Sequence, residues 1–386
     1  MFSKQSKGKV VLLIDVQSSV VRSSLILITH ESPPYVFSMN EWPVPHMHIG
    51  GMQRLVTMTI KMIGEAVDSA RRNLYDRRMQ QKELVLPESI SEIHFVLSSP
   101  WIISRARTIT ETFQKPTIIS RELIDGIIVR ERDLDVANDV DGIEIIEEKI
   151  FDVRLNGYSV ARWEDKTADK LRISFAVSVA GSDTMKYLRD ICSGIVRDKD
   201  VFFHSSLLLQ HIGIRSILPD QTNYLLIHIH GELTDVVMVE HSICMFFGSF
   251  PLGINNIVRS IGTATHTSQK VADSLLSLQI GKHLDESDLS KRSIQAIEHM
   301  QKVWIGELKK LVSRASCADH LPRMALITSR LHEDFFISNF EAAYPKINIG
   351  SFTAEQLAPF VSFAPHIEML RLTGLYAIAV NNISHV

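Results

Sequence analysis

KVVLLIDV, residues 9–16, is apolar apart from its first position and Asp15; a short polar stretch follows, and then a second apolar run, SSLILITH. Two strand-length runs with so brief a break predict a β-hairpin whose turn lies at Gln17 to Arg22. Prolines and the Gly50-Gly51 pair between residues 31 and 51 predict a loop or a third, irregular strand. From Met52 to Lys82 the period changes. Leu55, Met58, Met62, Ile63, Ala66, Val67, Ala70 and Leu74 recur at three- and four-residue spacing, the pattern of an amphipathic helix, and its end carries Arg71, Arg72, Arg77 and Arg78.

EIHFVLSSPW, residues 92–101, reads as a buried strand stopped by Pro100. Short strand-like and helix-like pieces then alternate to about Gly181, which predicts a small inserted α+β unit over residues 102–181. Within it, IEIIEEKIFDVRLNGYSVA contains Asn156-Gly157, a turn pair suited to positive φ, and LRISFAVSVA is a further strand; Arg162 to Lys170 reads as a polar loop. A helix from Ser182 to about Arg197, a strand VFFH and a helix over Ser205 to Leu218 complete the first half.

The second half opens with NYLLIHIHGELTDVVMVEHSICMFFGS, three strands with turns at His230-Gly231-Glu232 and His241-Ser242. It repeats the opening hairpin, and two copies of strand, polar turn and strand, each followed by helices, are the trace of an internally duplicated fold. Helical periodicity runs from Ile254 to Val312, with stretches at Ala264 to Gln279 and Leu289 to Val312, followed by the strand MALITS, a helix over His332 to Ala343, NIGSF and a final helix.

Composition narrows the function classes. With 45% hydrophobic and 22% charged residues among 386, the chain is globular. Lys and Arg number 41 against 44 Asp and Glu, so no basic field argues for nucleic acid. Cys192, Cys244 and Cys317 are too scattered for a disulfide framework and fit a reducing compartment. Neither a signal-peptide core nor an unbroken apolar run of spanning length is present, so a cytosolic protein is expected. GxSxG, HExxH and GxxxxGK[ST] are all absent, which removes the commonest hydrolase, metalloprotease and P-loop readings. His228-x-His230 has metal-ligand spacing on one strand face, but no third ligand is defined near it, and no metal is expected. Trp163, in the polar loop, is the tryptophan least easily assigned to a core and is the candidate for a partner contact.

The order of these segments resembles actin-like ATPases, and among them the bacterial proteins FtsA and the type IV pilus assembly protein PilM. LLIDVQSSVVR resembles the first phosphate-binding loop, with Asp15, Ser18, Ser19 and Arg22 at the matching positions. LLIHIHGELTDVVMVE followed by FGSFPLGINNIVRSI resembles the second loop and the turn after it, with Gly231, Thr234 and Asp235 as the matches; GLYAIAV resembles the closing helix. The resemblance implies a duplicated, ribonuclease-H-like α/β fold of two lobes. The first lobe would comprise 1–101 and 182–222, with 102–181 as an inserted SHS2-like subdomain. The second would run over 223–369 with a helical part at about 264–320, and helix 370–386 would pack back on the first lobe.

Departures from the family pattern fall on the nucleotide site. Gln17 replaces a glycine, His228 and His230 replace an Asp and a Gly, Arg330 stands in the late Thr-Gly-Gly turn, and Leu276 lies near an expected lysine. The expectation is therefore a scaffold without catalytic residues or a required cofactor. Asp15, Ser18, Ser19, Arg22, Gly231, Thr234 and Asp235 would be the nucleotide contacts if ATP and magnesium bind. The chain lacks a basic amphipathic C-terminal helix, which favours PilM over FtsA. By that resemblance the partner is an inner-membrane pilus or secretion protein that offers a short cytosolic peptide. The groove would lie between the insert and the first lobe, with Ile127 to Arg132 and Asp152 to Tyr158 as its expected walls, and membrane contact would come only through that partner. An FtsA-type division scaffold, a slow ATPase and a homo-oligomer are the alternatives.

Overall fold

The computed structural model describes residues 8–44, 51–80, 86–136, 142–281, 283, 287–315, 321–329, 332–350, 352–368 and 370–384. The chain opens with β1 (Lys9–Val16), β2 (Val20–Ile28), β3 (Tyr35–Pro43), α1 (Gly51–Gln80) and β4 (Ile90–Leu97). An inserted segment follows as β5 (Ile103–Ile119), α2 (Arg121–Val136), β6 (Ile143–Leu155), β7 (Tyr158–Ser159) and β8 (Lys166–Gly181). Next come α3 (Ser182–Cys192), β9 (Val201–Ser205) and α4 (Ser206–Ile217). The second half contains β10 (Tyr224–Ile229), β11 (Thr234–Glu240), β12 (Ile243–Phe250), α5 (Ile254–Thr265), α6 (Gln269–Ile280) and α7 (Asp288–Val312). It continues with β13 (Met324–Ser329), α8 (Glu333–Ala343), β14 (Asn348–Gly350), α9 (Ala354–Leu357), β15 (Ser362–Phe363) and α10 (Arg371–Ser384).

The two large sheets share one plan. The first has the order β15-β3-β2-β1-β4-β9 and the second β12-β11-β10-β13-β14. In each, the opening three strands pair antiparallel and the two that follow join in parallel beside the first. β1 is central and covered on both faces: Val10, Leu12 and Ile14 enter a core shared with α1 and α3, whereas Val11 and Leu13 enter another. Burial on both sides is why its sequence is a continuous apolar run rather than an alternation. The second of these cores lies between the sheets. Leu226 and Val237 from one, Val11 and Ile26 from the other, and buried faces of α4 and α10 meet in it. A third core fills the outer face of the second sheet beneath α5–α8.

The insert forms its own four-stranded sheet, β5-β8-β6-β7, with its own core beneath α2. Asn156 and Gly157 adopt φ of 52° and 93°, as the turn chemistry predicts. Two elements here were not anticipated. The helix α2 is hidden in RELIDGIIVRERDLDV, although Ile124, Ile127 and Ile128 supply the three- and four-residue spacing and the Ser120 hydroxyl accepts from the Leu123 amide as a cap. The long edge strand β5 has a polar alternation, and its Pro116 falls where pairing with β8 is interrupted between Thr112 and Thr117. Trp163 is not a surface anchor. It is only 8% exposed and packs in the insert's core with Ile127, Ile128 and Leu171, which closes the loop over that core.

Elsewhere the corrections are of length. Arg22 lies inside β2, so the first turn is confined to residues 17–19. The helix expected to reach Arg197 stops at Cys192, and Gly194 follows with φ of 83°. The expected stretch from Ala264 to Gln279 is two helices, because α5 ends with His266 at φ of 54°.

Candidate functional site

The equivalent plans of the two sheets bring their first hairpin turns face to face. Ser18 Oγ accepts from the Glu232 amide at 3.0 Å, and a Cβ on Gly231 would overlap the Cβ of Ser19. Glycine at position 231 is thus fixed by close approach of the other turn. The same second turn occupies the start of α5. The Ile254 and Asn255 amides donate to the carbonyls of His230 and Gly231 at 3.0 and 2.8 Å, and the Gly253 amide donates to Asn256 Oδ1. Glu232 is held by Asn255 Nδ2 at 2.8 Å and by the two terminal guanidinium nitrogens of Arg259, Nη1 and Nη2. The amides of this helix start therefore have partners within the protein, where an open helix N-terminus would offer them to an anion.

Behind the turns lies a buried polar cluster. Asp15 Oδ2 accepts from Arg22 Nη1 at 2.8 Å and from Gln17 Nε2 at 2.9 Å, while Arg22 also pairs with Glu41. His230 Nε2 lies 2.8 Å from Asp235 Oδ2, which also accepts from the Ser99 amide. His228 stacks on His230 with ring centroids 4.3 Å apart and has Gln210 Nε2 at 3.1 Å; Gln210 in turn accepts from Thr328. Burial pushes the Asp15 carboxyl up, against the pull of Arg22, Gln17 and His230. Burial acts the same way on Asp235, but His230 and the Ser99 amide outweigh it and hold that carboxyl below its ordinary range. Burial drives His228 well below the usual imidazole value. Among the described residues, Asp15 Oδ1, Asp235 Oδ1, His228 Nε2 and His230 Nδ1 are buried without a hydrogen-bond partner, and no group of three or more His, Cys, Asp or Glu is arranged for a metal.

Six of the seven residues matched to phosphate loops, Asp15, Ser18, Ser19, Arg22, Gly231 and Asp235, are thus brought together. Thr234 is not: its hydroxyl donates to the Leu252 carbonyl and accepts from Trp304 Nε1, turned into the core of the second sheet. Leu276 is likewise core, and Arg330 lies outside the described residues. A cavity of about 750 Å³ begins at Gln17, Ser19, His230 and Gly231 and extends past Ile254 and Val258 to Lys270 and Asp273. Lys270 and Asp273, an i,i+3 polar pair on the first turns of α6, were missed, because they stand among other polar residues, Ser268, Gln269 and Ser274, and nothing local singles them out. Gln210 and Glu232 were missed because their partners are remote in sequence.

A second hollow, of about 460 Å³, lies where the insert meets both sheets. Its walls include Leu97, Ile103, Leu207, Phe247 and Phe250, with Ser104 and Ser205 between them. Ser104 Oγ bonds both Ser178 and Ser205 Oγ, so the floor ties β5 to β8 and β9. None of the expected groove residues lines this hollow: Ile127, Ile128, Val153 and Leu155 are buried in the insert's core, whereas Val129 and Tyr158 are exposed on the insert's surface. No described helix is long and apolar enough to cross a membrane.

No family model and no curated protein matches the sequence. Solved structures do match its shape. The PilM-PilN type IV pilus biogenesis complex contains a chain similar over 96% of this chain and 96% of its own, at 13% identity and a TM-score of 0.64. The ethanolamine utilization protein EutJ from Carboxydothermus hydrogenoformans is similar over 96% and 89%, at 8% identity and a TM-score of 0.47. The MamK double helical filament is similar over 97% and 99%, at 9% identity and a TM-score of 0.48. The chain has an actin-like, two-lobed α/β fold.

Proposed function

We propose that this protein is a non-hydrolysing actin-like scaffold that binds a short cytosolic segment of a membrane partner, as a PilM-like component of a pilus or secretion assembly. The observation that carries the first half is the contact of the two turns. Ser18 with the Glu232 amide, and Ser19 against Gly231, fill the place where phosphates would pass between the loops, and the first amides of α5 are spent on the His230 and Gly231 carbonyls. Arg22 neutralises the Asp15 carboxylate that would otherwise organise a metal. These residues do not suit a nucleoside triphosphate with magnesium, and no catalytic step is assigned to them.

The second half rests on the similarity in fold to the chain of the PilM-PilN complex and on the hollow beside Ile103. Apolar walls with a hydroxyl floor fit an extended peptide that anchors one or two aliphatic or aromatic side chains. Ile103 is 56% exposed, so its side chain is available to a partner.

Calorimetry tests both halves on one preparation. Magnesium ATP is expected to give no binding heat; micromolar affinity would replace the scaffold reading with that of a nucleotide-binding protein that uses the larger cavity. A synthetic peptide copying the cytosolic segment of a PilN-type partner is expected to bind, and Ile103→Glu to weaken it by about tenfold or more, the scale of a lost interface anchor. Unchanged binding would move the partner site away from this hollow.

A further inference from the structure

β5 stands at the edge of the insert's sheet, and among the described residues it pairs with β8 alone. That pairing runs without a break from Ile103 to Thr112. Both faces of the sheet are engaged. On one, Ile109 and Phe113 pack against the core beneath α2, and Glu111 forms an ion pair with Arg130 of α2. On the other, Ser104 and Thr108 meet Ser178 and Ser174, and β12 crosses β5, β8 and β6. The edge itself is left over, with a row of backbone donors and acceptors along residues 103–112.

Edges of this length are normally blunted by lysine, proline or a bulge. In β5 those devices, Lys115, Pro116 and the interruption between Thr112 and Thr117, all lie past the end of the unbroken ladder. Residues 103–112 contain no proline, glycine or lysine, so nothing in the stretch prevents a further strand from pairing with it.

The order of side chains along the edge names its occupant. Odd-numbered residues share one face and even-numbered residues the other, so an antiparallel copy of the strand sets each residue opposite one of the same parity. The fullest overlap of residues 103–112 with themselves is centred on Arg107 or on Thr108. A centre at Arg107 would set two guanidiniums side by side, which is unfavourable. A centre at Thr108 sets Arg105 opposite Glu111 of the second copy, Ser104 opposite Thr112, Ala106 opposite Thr110 and Thr108 opposite itself, while Arg107 lays its aliphatic stem against Ile109. Opposite charges and paired hydroxyl residues are the matches that stabilise antiparallel neighbours. Just past this overlap Ile103, which is 56% exposed, comes beside Phe113 of the second copy.

We infer that two copies of this chain join β5 to β5 about a two-fold axis at Thr108, which fuses their inserts into one continuous sheet of order β7-β6-β8-β5-β5-β8-β6-β7. Each copy presents the same patch to the other, so the assembly closes at a dimer. The inference stands independently of the groove proposed for a peptide.

Sedimentation velocity of the full chain at about 100 μM, where even weak pairing populates a dimer, tests it. The wild-type chain is expected to sediment as a dimer. Arg105→Glu sets carboxylates against Glu111, and Glu111→Arg sets guanidiniums against Arg105, so each is expected to raise the dissociation constant about tenfold or more. The double variant, with the charges exchanged, is expected to restore the dimer, a recovery that a fold damaged by either change would not show. The axis has its own test, because the native thiols Cys192 and Cys244 are buried. In a Cys317→Ser background, oxidation by diamide is expected to link Thr108→Cys to its copy, their Cβ atoms being about 5 Å apart, and to leave Thr110→Cys unlinked. A monomeric wild type, single variants that still dimerise, or a double variant that does not recover overturns the inference, as does Thr110→Cys linking as readily as Thr108→Cys.

Discussion

Asp15 and Arg22 stand directly opposite each other across the first hairpin, so the register that folds β1 onto β2 also builds their ion pair. Both are almost fully buried, and Arg22 is further committed to Glu41. Replacing one member of such a pair leaves the other charge uncompensated in the interior. Arg22→Met is therefore expected to lower unfolding free energy by about 3–5 kcal/mol. Urea denaturation would show it, and a wild-type midpoint would mean that Asp15 finds another partner. Single-residue chemistry of this kind was partly legible: Asp15, Ser18 and Gly231 stood out through the resemblance of their segments to phosphate-binding loops, Asp15 near the end of its strand and the other two in turns. Their contacts were not. Ser18 meets Glu232 across 214 positions and His94 meets His204 across 110, and no local pattern encodes such pairs.

Strands and helices were read more accurately where burial is simple. KVVLLIDV and YLLIHI are central strands covered on both faces, and their apolar runs showed it. The insert resisted because the edge strand β5 is exposed along much of its length and carries little apolar pattern, while the isoleucines of α2 favour either state locally. Trp163 looked exposed because its neighbours in sequence are polar; its neighbours in space are not. The contact of two turns yields a prediction at this scale. Gly231→Ala adds a methyl group where Ser19 already sits, and the two hairpins must move apart. The expected loss is about 1–3 kcal/mol, the cost of overpacking, with faster deuterium exchange in residues 17–19 and 230–233. An alanine variant with unchanged exchange would show that the turns are not pressed together in solution.

For the molecule as a whole, buried imidazoles set the response to acid. His94 and His211 are held by burial at about 4, far under their ordinary value of 6.5. Between those limits the unfolded chain binds protons that the folded one refuses, so stability rises with pH across the window and falls on acidification. At pH 5 the two together are expected to cost about 2–4 kcal/mol relative to pH 7. Asp15 acts in the opposite sense at lower pH, because its raised value lets the folded protein take up a proton more readily than the unfolded chain. Thermal melts at pH 5 and 7 check the balance; equal melting temperatures would mean that these rings are already charged in the folded protein.

The core shared by the two sheets also has a consequence in time. It is completed by α10 packing on α4, a contact whose hydrogen bond from Asn382 to Ser216 spans 166 residues. A ribosome delivers α4 long before α10, so during synthesis the inner faces of both sheets, with Val11, Ile26, Leu226 and Val237, must wait unsealed. Closure of such a distant contact is slow and leaves sticky intermediates. The nascent chain is thus a natural client for a chaperone until its last buried helix emerges.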